Sequence, residues 1–231
     1  MLSAYAFFMT SRSRHSSPPK LPDRAAAGKA LAAHLKAYAN QPDTLVLALP
    51  RGGLPVAYEV AKALNLPLDI CLVRKLGLPE YPEVAMGAIA AGGVRVLNDP
   101  LIDRLQISEQ TIEQVTAVEL KELERRSQRY RGHRLPLPVR DRTIILIDDG
   151  LATGSTMRAA LSVLESQQAS SIIIAVPVLP AAVCQSLTRM GYQVVRLATP
   201  SPFQAISLWY EDFDQVTDEQ VTSLISQVCL N

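Results

Sequence analysis

The chain has 231 residues, 48% of them hydrophobic, with a mean hydropathy of +0.12; this suits one α/β domain, or one with an elaboration, and excludes a disordered protein. Lys and Arg balance Asp and Glu to a formal net charge of +1, so no global field demands a nucleic acid or membrane partner, and anion specificity has to be local. Cys71, Cys184 and Cys229 lie far apart in apolar runs, without a Cys-x-x-Cys pair or Cys/His cluster, which points to buried thiols in a reducing cytoplasm and away from a metal centre.

Met1–Met9 is apolar but short, lacks leading basic residues and runs into the polar Ser11–Pro19 stretch. That is not a signal peptide, and residues 1–20 read as a loose leader in which Met1 or Met9 is the start. No apolar run has the length of a membrane span. The expectation is a soluble cytoplasmic protein, with homo-oligomerisation left open.

Asp23 can cap a helix running to about Tyr38, with Ala27, Leu31, Leu35 and Tyr38 on one face. Thr44–Leu49 is a nearly all-apolar run, as a strand buried on both faces should be. Pro50-Arg51-Gly52-Gly53 breaks it, and Leu54–Leu64 follows as a helix. Leu68–Val73 reads as the next strand, ending in Arg74-Lys75. Residues 76–98 are punctuated by Gly77, Pro79, Pro82, Gly87, Gly92 and Gly93 around short strand-like pieces at about Val84–Ala90 and Val94–Leu97. This predicts a mobile loop or ribbon that is not core, of which residues 76–93 become better ordered when ligand binds. Ser108–Tyr130 reads as a long polar helix with Ile112, Val115, Leu120 and Leu123 as its stripe.

Alternation then resumes with a strand at Thr143–Ile147, a helix at about Thr156–Gln167, a strand at Ser171–Val176, a helix at Pro180–Met190 and a strand at Gln193–Leu197. A tail with Phe203, Trp209 and Tyr210 leads to a last helix, whose start carries the capping-box spacing of Thr217 and Gln220. Strands alternating with helices predict a mostly parallel sheet covered on both faces.

The informative segment follows the Thr143–Ile147 strand, where ligands of open α/β sheets bind. Asp148 and Asp149 come first, then Thr153-Gly154-Ser155-Thr156 at the mouth of a helix. Amides and hydroxyls at a helix N-terminus seat an anion, and Gly154 admits a phosphate close to the backbone. Carboxylates do not belong against that phosphate, but they can accept hydrogen bonds from sugar hydroxyls nearby. One loop could therefore grip both ends of a ribose 5-phosphate. No Gly-x-x-x-x-Gly-Lys-Ser/Thr is present, so this is not a Walker loop. A plain capped turn would not need two adjacent acids and three hydroxyls around a glycine.

The stretch Ile144–Thr156 resembles the phosphoribosyl diphosphate (PRPP) motif of type I phosphoribosyltransferases, over about residues 21–230. The resemblance implies that Asp148 and Asp149 bind the ribose hydroxyls and that Ala152, Thr153, Gly154, Ser155 and Thr156 bind the 5-phosphate. It also implies that Arg51, Gly52 and Gly53 hold the diphosphate, with the Pro50–Arg51 peptide cis. An Arg-Gly-Gly turn is by itself equally at home as plain structure; its pairing with the acidic loop favours the functional reading. Arg74 and Lys75 would act on the diphosphate from the base of a lid, or else be a solvated strand end, and Asp149 would complete the catalytic set. Glu80, Tyr81 and Glu83 lie on that lid. The implied reaction displaces diphosphate from PRPP by a nitrogenous base with Mg2+; some members of the family are regulators, so the alternative is a sensor of PRPP or a nucleotide. Some purine-using members carry Asp where this chain has Ala152, so a purine acceptor loses one of its supports; other members also have Ala there, and activity itself is not excluded. The resemblance further implies a lid and inserted helix at about 76–140 and a small hood from the segment before the first helix together with residues after about 200. The arginines from Arg125 to Arg142 read as helix-end and solvated cations, with a polyphosphate or RNA contact as the lesser alternative. No metal-ligating side chains are expected.

Overall fold

A computed structural model describes residues 20–228; the leader and Cys229 lie outside them. The elements in chain order are α1 (Arg24–His34), β1 (Thr44–Ala48), α2 (Gly53–Leu64), β2 (Leu68–Ile70), β3 (Val73–Gly77), β4 (Ala85–Ala90), β5 (Arg95–Leu97), α3 (Asp99–Leu105), α4 (Glu109–Arg131), β6 (Thr143–Ile147), α5 (Ser155–Ser166), β7 (Ser171–Val178), α6 (Ala181–Arg189), β8 (Gln193–Ala198) and α7 (Asp218–Val228). Short 3-10 turns at Lys36–Tyr38 and Ile206–Trp209 complete them.

Five strands form a parallel sheet in the order β2-β1-β6-β7-β8. Because side chains alternate along a strand, each apolar run supplies two cores. Val46, Ala48, Ile145 and Ile147 pack with Leu31 of α1 and Val60 of α2. Leu45, Leu47, Ile144 and Leu146 pack with Met157 and Leu161 of α5 and Leu187 of α6. A strand clothed on both faces has no room for polar side chains, which is why these segments read as continuous apolar runs.

The predicted Leu68–Val73 strand is two strands. The chain leaves the parallel sheet after Ile70, with the Cys71 amide donating to Ala48 O at 2.8 Å, and re-pairs antiparallel with β4 from Val73 onward. Arg74 and Lys75 therefore sit inside β3 and not at a strand end. β3, β4 and β5 make a second, antiparallel sheet, and this corrects the expectation of a ribbon outside the core. Leu76, Met86 and Ile89 are fully buried with Ile112 and Leu123 of α4, while Ala88 and Ala90 pack on Ala159 and Val163 of α5. The glycine that suggested looseness marks close packing: a Cβ on Gly87 would stand 2.5 Å from Val96 O. Exposure is concentrated in the turns at 79–84 and 92–93.

Helix ends follow their caps. Asp23 accepts from the Ala26 amide at 2.7 Å, and α1 stops at His34, short of the expected Tyr38, because the chain tightens into a 3-10 turn. Ser108 caps α4, and Thr217 and Gln220 exchange the two hydrogen bonds of a capping box. Helix α3 was not foreseen; Asn98 caps it and Pro100 occupies its first turn. At the far end of α4, Arg131 returns to the sheet. Its Nε and Nη2 donate to Asp69 Oδ1 at 3.1 and 3.0 Å, Nη2 also donates to Ile70 O, and Asp69 Oδ2 accepts from the Leu137 amide at 2.9 Å.

Residues 20–23 and 206–214 close over the carboxyl ends of the strands. Leu21 donates to Trp209 O at 2.9 Å and accepts from the Glu211 amide at 2.8 Å, in a parallel bridge that ties the two ends together.

Candidate functional site

The parallel register aligns Ala48 with Ile147, so the loops after β1 and β6 leave the sheet side by side. Their contact is intimate. A Cβ added at Gly52 would lie 2.0 Å from Asp149 Oδ2, and one at Gly53 would lie 2.7 Å from Ile147 O. The glycines of the 50–53 turn are thus required by the approach of the acidic loop, and the Pro50–Arg51 peptide is cis.

Asp148 and Asp149 stand at the carboxyl end of β6. The Asp149 amide donates to Asp148 Oδ1 at 2.9 Å. Next, Ala152 and Thr153 are exposed and Gly154 turns the chain with φ +73° into the first turn of α5. Gly154 has no side chain with which to cap α5, and the first turn carries no acidic residue. Thr153 Oγ1 reaches Ser155 Oγ at 3.3 Å and its amide at 3.4 Å. Ser155 and Thr156 stand beside it at an uncapped, positively polarised helix end, a seat for an anion. The structure brings Arg51, Gly52, Gly53, Asp148, Asp149 and the 152–156 turn together at one end of two neighbouring strands.

Arg74 and Lys75 reach the same region from β3. A cavity of about 650 Å³ is lined by Pro50, Thr156, Arg74, Lys75, Pro79 and Glu119, so it joins the ends of both loops to the second sheet and α4. Each cation is already paired, Arg74 with Glu119 of α4 and Lys75 with Glu83 at 3.2 Å. Arg51 lies 3.5 Å from Asp218 Oδ1 in the first turn of α7. Asp218 also accepts from Tyr130 at 2.6 Å and pairs with Arg129 at 3.0 Å. The Tyr130 hydroxyl, followed by Arg129 and Arg51, holds the Asp218 carboxyl below the usual carboxylate range.

The acidic pair is electrostatically loaded. Burial, and then the adjacent Asp149 carboxylate, hold Asp148 well above the usual range. Burial also raises Asp149, against the opposing pull of Arg24. A carboxyl whose folded pKa exceeds its unfolded one binds its proton more tightly in the folded state. Stability is then fully present below the ordinary value of 3.8 and is lost as pH rises through the raised one. Asp148→Asn removes that loss while its amide oxygen still accepts from the Asp149 amide. Its melting temperature should exceed that of the wild type at about pH 8, and the gain should shrink as pH falls towards about 4. Thermal melts across that range check this, and an equal or lower value at the high end would contradict it.

A model of the phosphoribosyl transferase domain matches residues 20–200, most of the chain and both loops. The chain belongs to the phosphoribosyl transferase family. Two Mycobacterium tuberculosis relatives, provisionally named phosphoribosyl transferases, are 40% identical over 205 residues, covering 89% of this chain and 46% of their own length. The chain therefore spans about half the length of the curated relatives it matches. The solved structure of TT1426 from Thermus thermophilus is 38% identical, with a TM-score of 0.82, and covers 90% of this chain and 98% of that one.

Several groups around this candidate site of the phosphoribosyl transferase domain escaped the sequence reading. Arg24 donates to Asp149, Tyr210 donates its hydroxyl to Asp149 O at 2.6 Å, and Phe213 lies under the Arg24 guanidinium. These three stand 125, 61 and 64 positions from Asp149 in sequence, and no local pattern marks them. Tyr210, Phe213 and Asp218 also fall beyond the span that the family model matches. The basic stretch, by contrast, proves largely structural. Arg125 and Arg126 pair with Glu122, Arg129 with Asp218 and Glu219, and Arg131 with Asp69. Cys71 and Cys184 are buried free thiols, and burial chiefly pushes Cys71 up to about 12, which keeps it unreactive. Among the described residues no helix is long and apolar enough to cross a membrane.

Proposed function

We propose that this domain is a phosphoribosyltransferase that displaces diphosphate from C1 of PRPP with a nitrogenous base, giving a ribosyl monophosphate. The observation that carries the reading is the pressing together of two loops from adjacent strands. One presents an acid pair and an uncapped helix mouth, the other an Arg-Gly-Gly turn. Asp148 and Asp149 would accept from the ribose hydroxyls, residues Ala152–Thr156 would seat the 5-phosphate, and Arg51, Gly52 and Gly53 would hold the diphosphate. Arg74 and Lys75 would reach it as its charge develops. The chain would position the reactants and stabilise an oxocarbenium-like transition state electrostatically, without a nucleophilic side chain.

Mg2+ would neutralise the diphosphate. Among the described residues no three carboxylates, histidines or cysteines converge, so the ion would be held by substrate oxygens and water, as suits a hard cation. The exposed Ala152 side chain offers a base no hydrogen bond, which removes one support for a purine acceptor. The domain would work in the cytoplasm on small molecules.

One feature favours a second reading, a sensor that binds PRPP or a nucleotide without turnover. Asp149, Arg51, Arg74 and Lys75 are each already ion-paired within the chain. A Mg2+-dependent diphosphate-release screen of PRPP against a panel of bases separates the two. Release with one base supports the enzyme, and tight PRPP binding with release by none supports the sensor.

Asp149→Asn should weaken PRPP binding about tenfold or more, because a hydrogen bond to a charged acceptor contributes about 1.5–3 kcal/mol. Calorimetry on the folded variant is the check. Unchanged affinity would remove Asp149 from the ribose site.

A further inference from the structure

Asp149 is gripped from outside its own loop. Arg24, the first residue of α1, donates Nε to Asp149 Oδ2 at 2.8 Å and Nη1 to Asp214 O at 2.8 Å. Its guanidinium carbon lies 3.9 Å from the centre of the Phe213 ring. Phe213 in turn packs on Tyr210 at 4.9 Å between centroids, and the Tyr210 hydroxyl holds the main-chain oxygen of Asp149. Both charged side chains are only 12% exposed. A pair sheltered in this way, with a stacked planar cation and a second acceptor, differs from a solvated surface bridge, which contributes little.

We infer that Arg24 is the positioning residue of the ribose site: by holding Oδ2 it fixes Asp149, and not Asp148, as the ionised acceptor that a sugar hydroxyl meets. The inference rests on the reading of Asp149 as a ribose ligand. Two adjacent carboxyls in a sheltered site do not both ionise readily, and the surrounding charges decide which one keeps the proton. The groups facing Asp149 are Arg24 from α1, Asp148 from its own loop and Tyr210 from the closing segment, with Asp23 acting on Tyr210 from the α1 cap. The 50–53 turn faces it with the Gly52 backbone. Arg24 lowers Asp149 both by hydrogen bond and by charge, whereas for Asp148 its charge is the smallest of the influences and the Asp149 charge opposes ionisation. The proton is thereby steered to Asp148 and the negative charge to Asp149. An ionised carboxylate accepts from a hydroxyl more strongly than a neutral one. Arg24 need not touch the sugar to set its affinity.

The experiment is PRPP affinity by calorimetry across pH for the wild type, Arg24→Gln and Arg24→Lys, with the ligand's own titration common to all three. Arg24→Gln should weaken binding about tenfold or more near neutrality and move the acid limb of the profile up by about one to three pH units, the shift a neighbouring opposite charge produces. Arg24→Lys should restore most of the affinity and return the limb towards that of the wild type. A folded Arg24→Gln protein with the wild-type limb overturns the inference. If that variant does not fold, Phe213→Leu leaves the cation and removes its stacking ring; a smaller upward shift is expected, and no shift overturns the inference equally. A wild-type protein that binds no PRPP at any pH overturns instead the ribose reading beneath it.

Discussion

Asp69→Ala is expected to lower the free energy of unfolding by about 3–5 kcal/mol, because it strands the buried Arg131 charge. Asp69 and Arg131 are 8% and 6% exposed, and the carboxylate also holds the Leu137 amide. The aspartate joins three stretches: the edge strand β2, the end of α4 and the segment leading back to β6. In a domain of this size such a loss amounts to roughly 6–20 °C in melting temperature. Urea unfolding followed by circular dichroism measures it. Replacing both partners together, Asp69→Leu with Arg131→Met, should recover much of the loss, since no charge is then left alone. A drop of under about 1 kcal/mol for Asp69→Ala would mean that water reaches the pair and screens it.

Gly52→Ala should abolish most PRPP binding while sparing the fold. The backbone there has φ −63° and ψ −33°, ordinary for alanine, so the penalty is steric. It falls on Asp149, whose Oδ2 and Cγ would lie 2.0 and 2.6 Å from the new Cβ. The carboxylate cannot swing aside freely, because Arg24 holds the same oxygen. Displacing it forfeits two charge-assisted hydrogen bonds, to Arg24 and to the ligand, each contributing about 1.5–3 kcal/mol. A fall in PRPP affinity of about a hundredfold or more is the expected outcome. In an Asp149→Ala background the same change should be nearly silent. A full-sized effect there would show that the methyl acts on something else.

Much of the parallel sheet could be read from its residues, because strands clothed on both faces leave unbroken apolar runs such as Thr143–Ile147. The two loops were legible for a related reason: glycines and acids following such a run have few structural uses. Capping chemistry placed Thr217 at the start of α7. In the second sheet the strand-like pieces were legible, as β4 and β5, but their burial was not. Gly77 and Gly87 suggest looseness in the sequence, whereas Gly87 admits a neighbouring backbone, and Leu76, Met86 and Ile89 are core. The short α3 buries only Leu101, too little for a periodic signal, although Asn98 and Pro100 mark its start. The partners of the candidate site could not have been found locally. Arg24, Phe213 and Asp218 acquire meaning only when distant segments meet, and a single sequence does not encode that meeting as a pattern.

The bridge between residues 21 and 210 has a consequence for synthesis. Synthesis delivers the chain from its N-terminus. Residue 24 leaves the ribosome long before Asp149, and longer still before Asp214, 190 positions downstream, to which it also donates. A nascent chain halted near residue 200 would hold β1, β6 and both loops, yet it would lack Tyr210, Phe213 and Asp214. Its Arg24 would have no ring to lie on, and the main-chain oxygen of Asp149 would have no phenol to receive. The clasp around Asp149 is therefore completed late, and a prematurely terminated product would display the two loops without it.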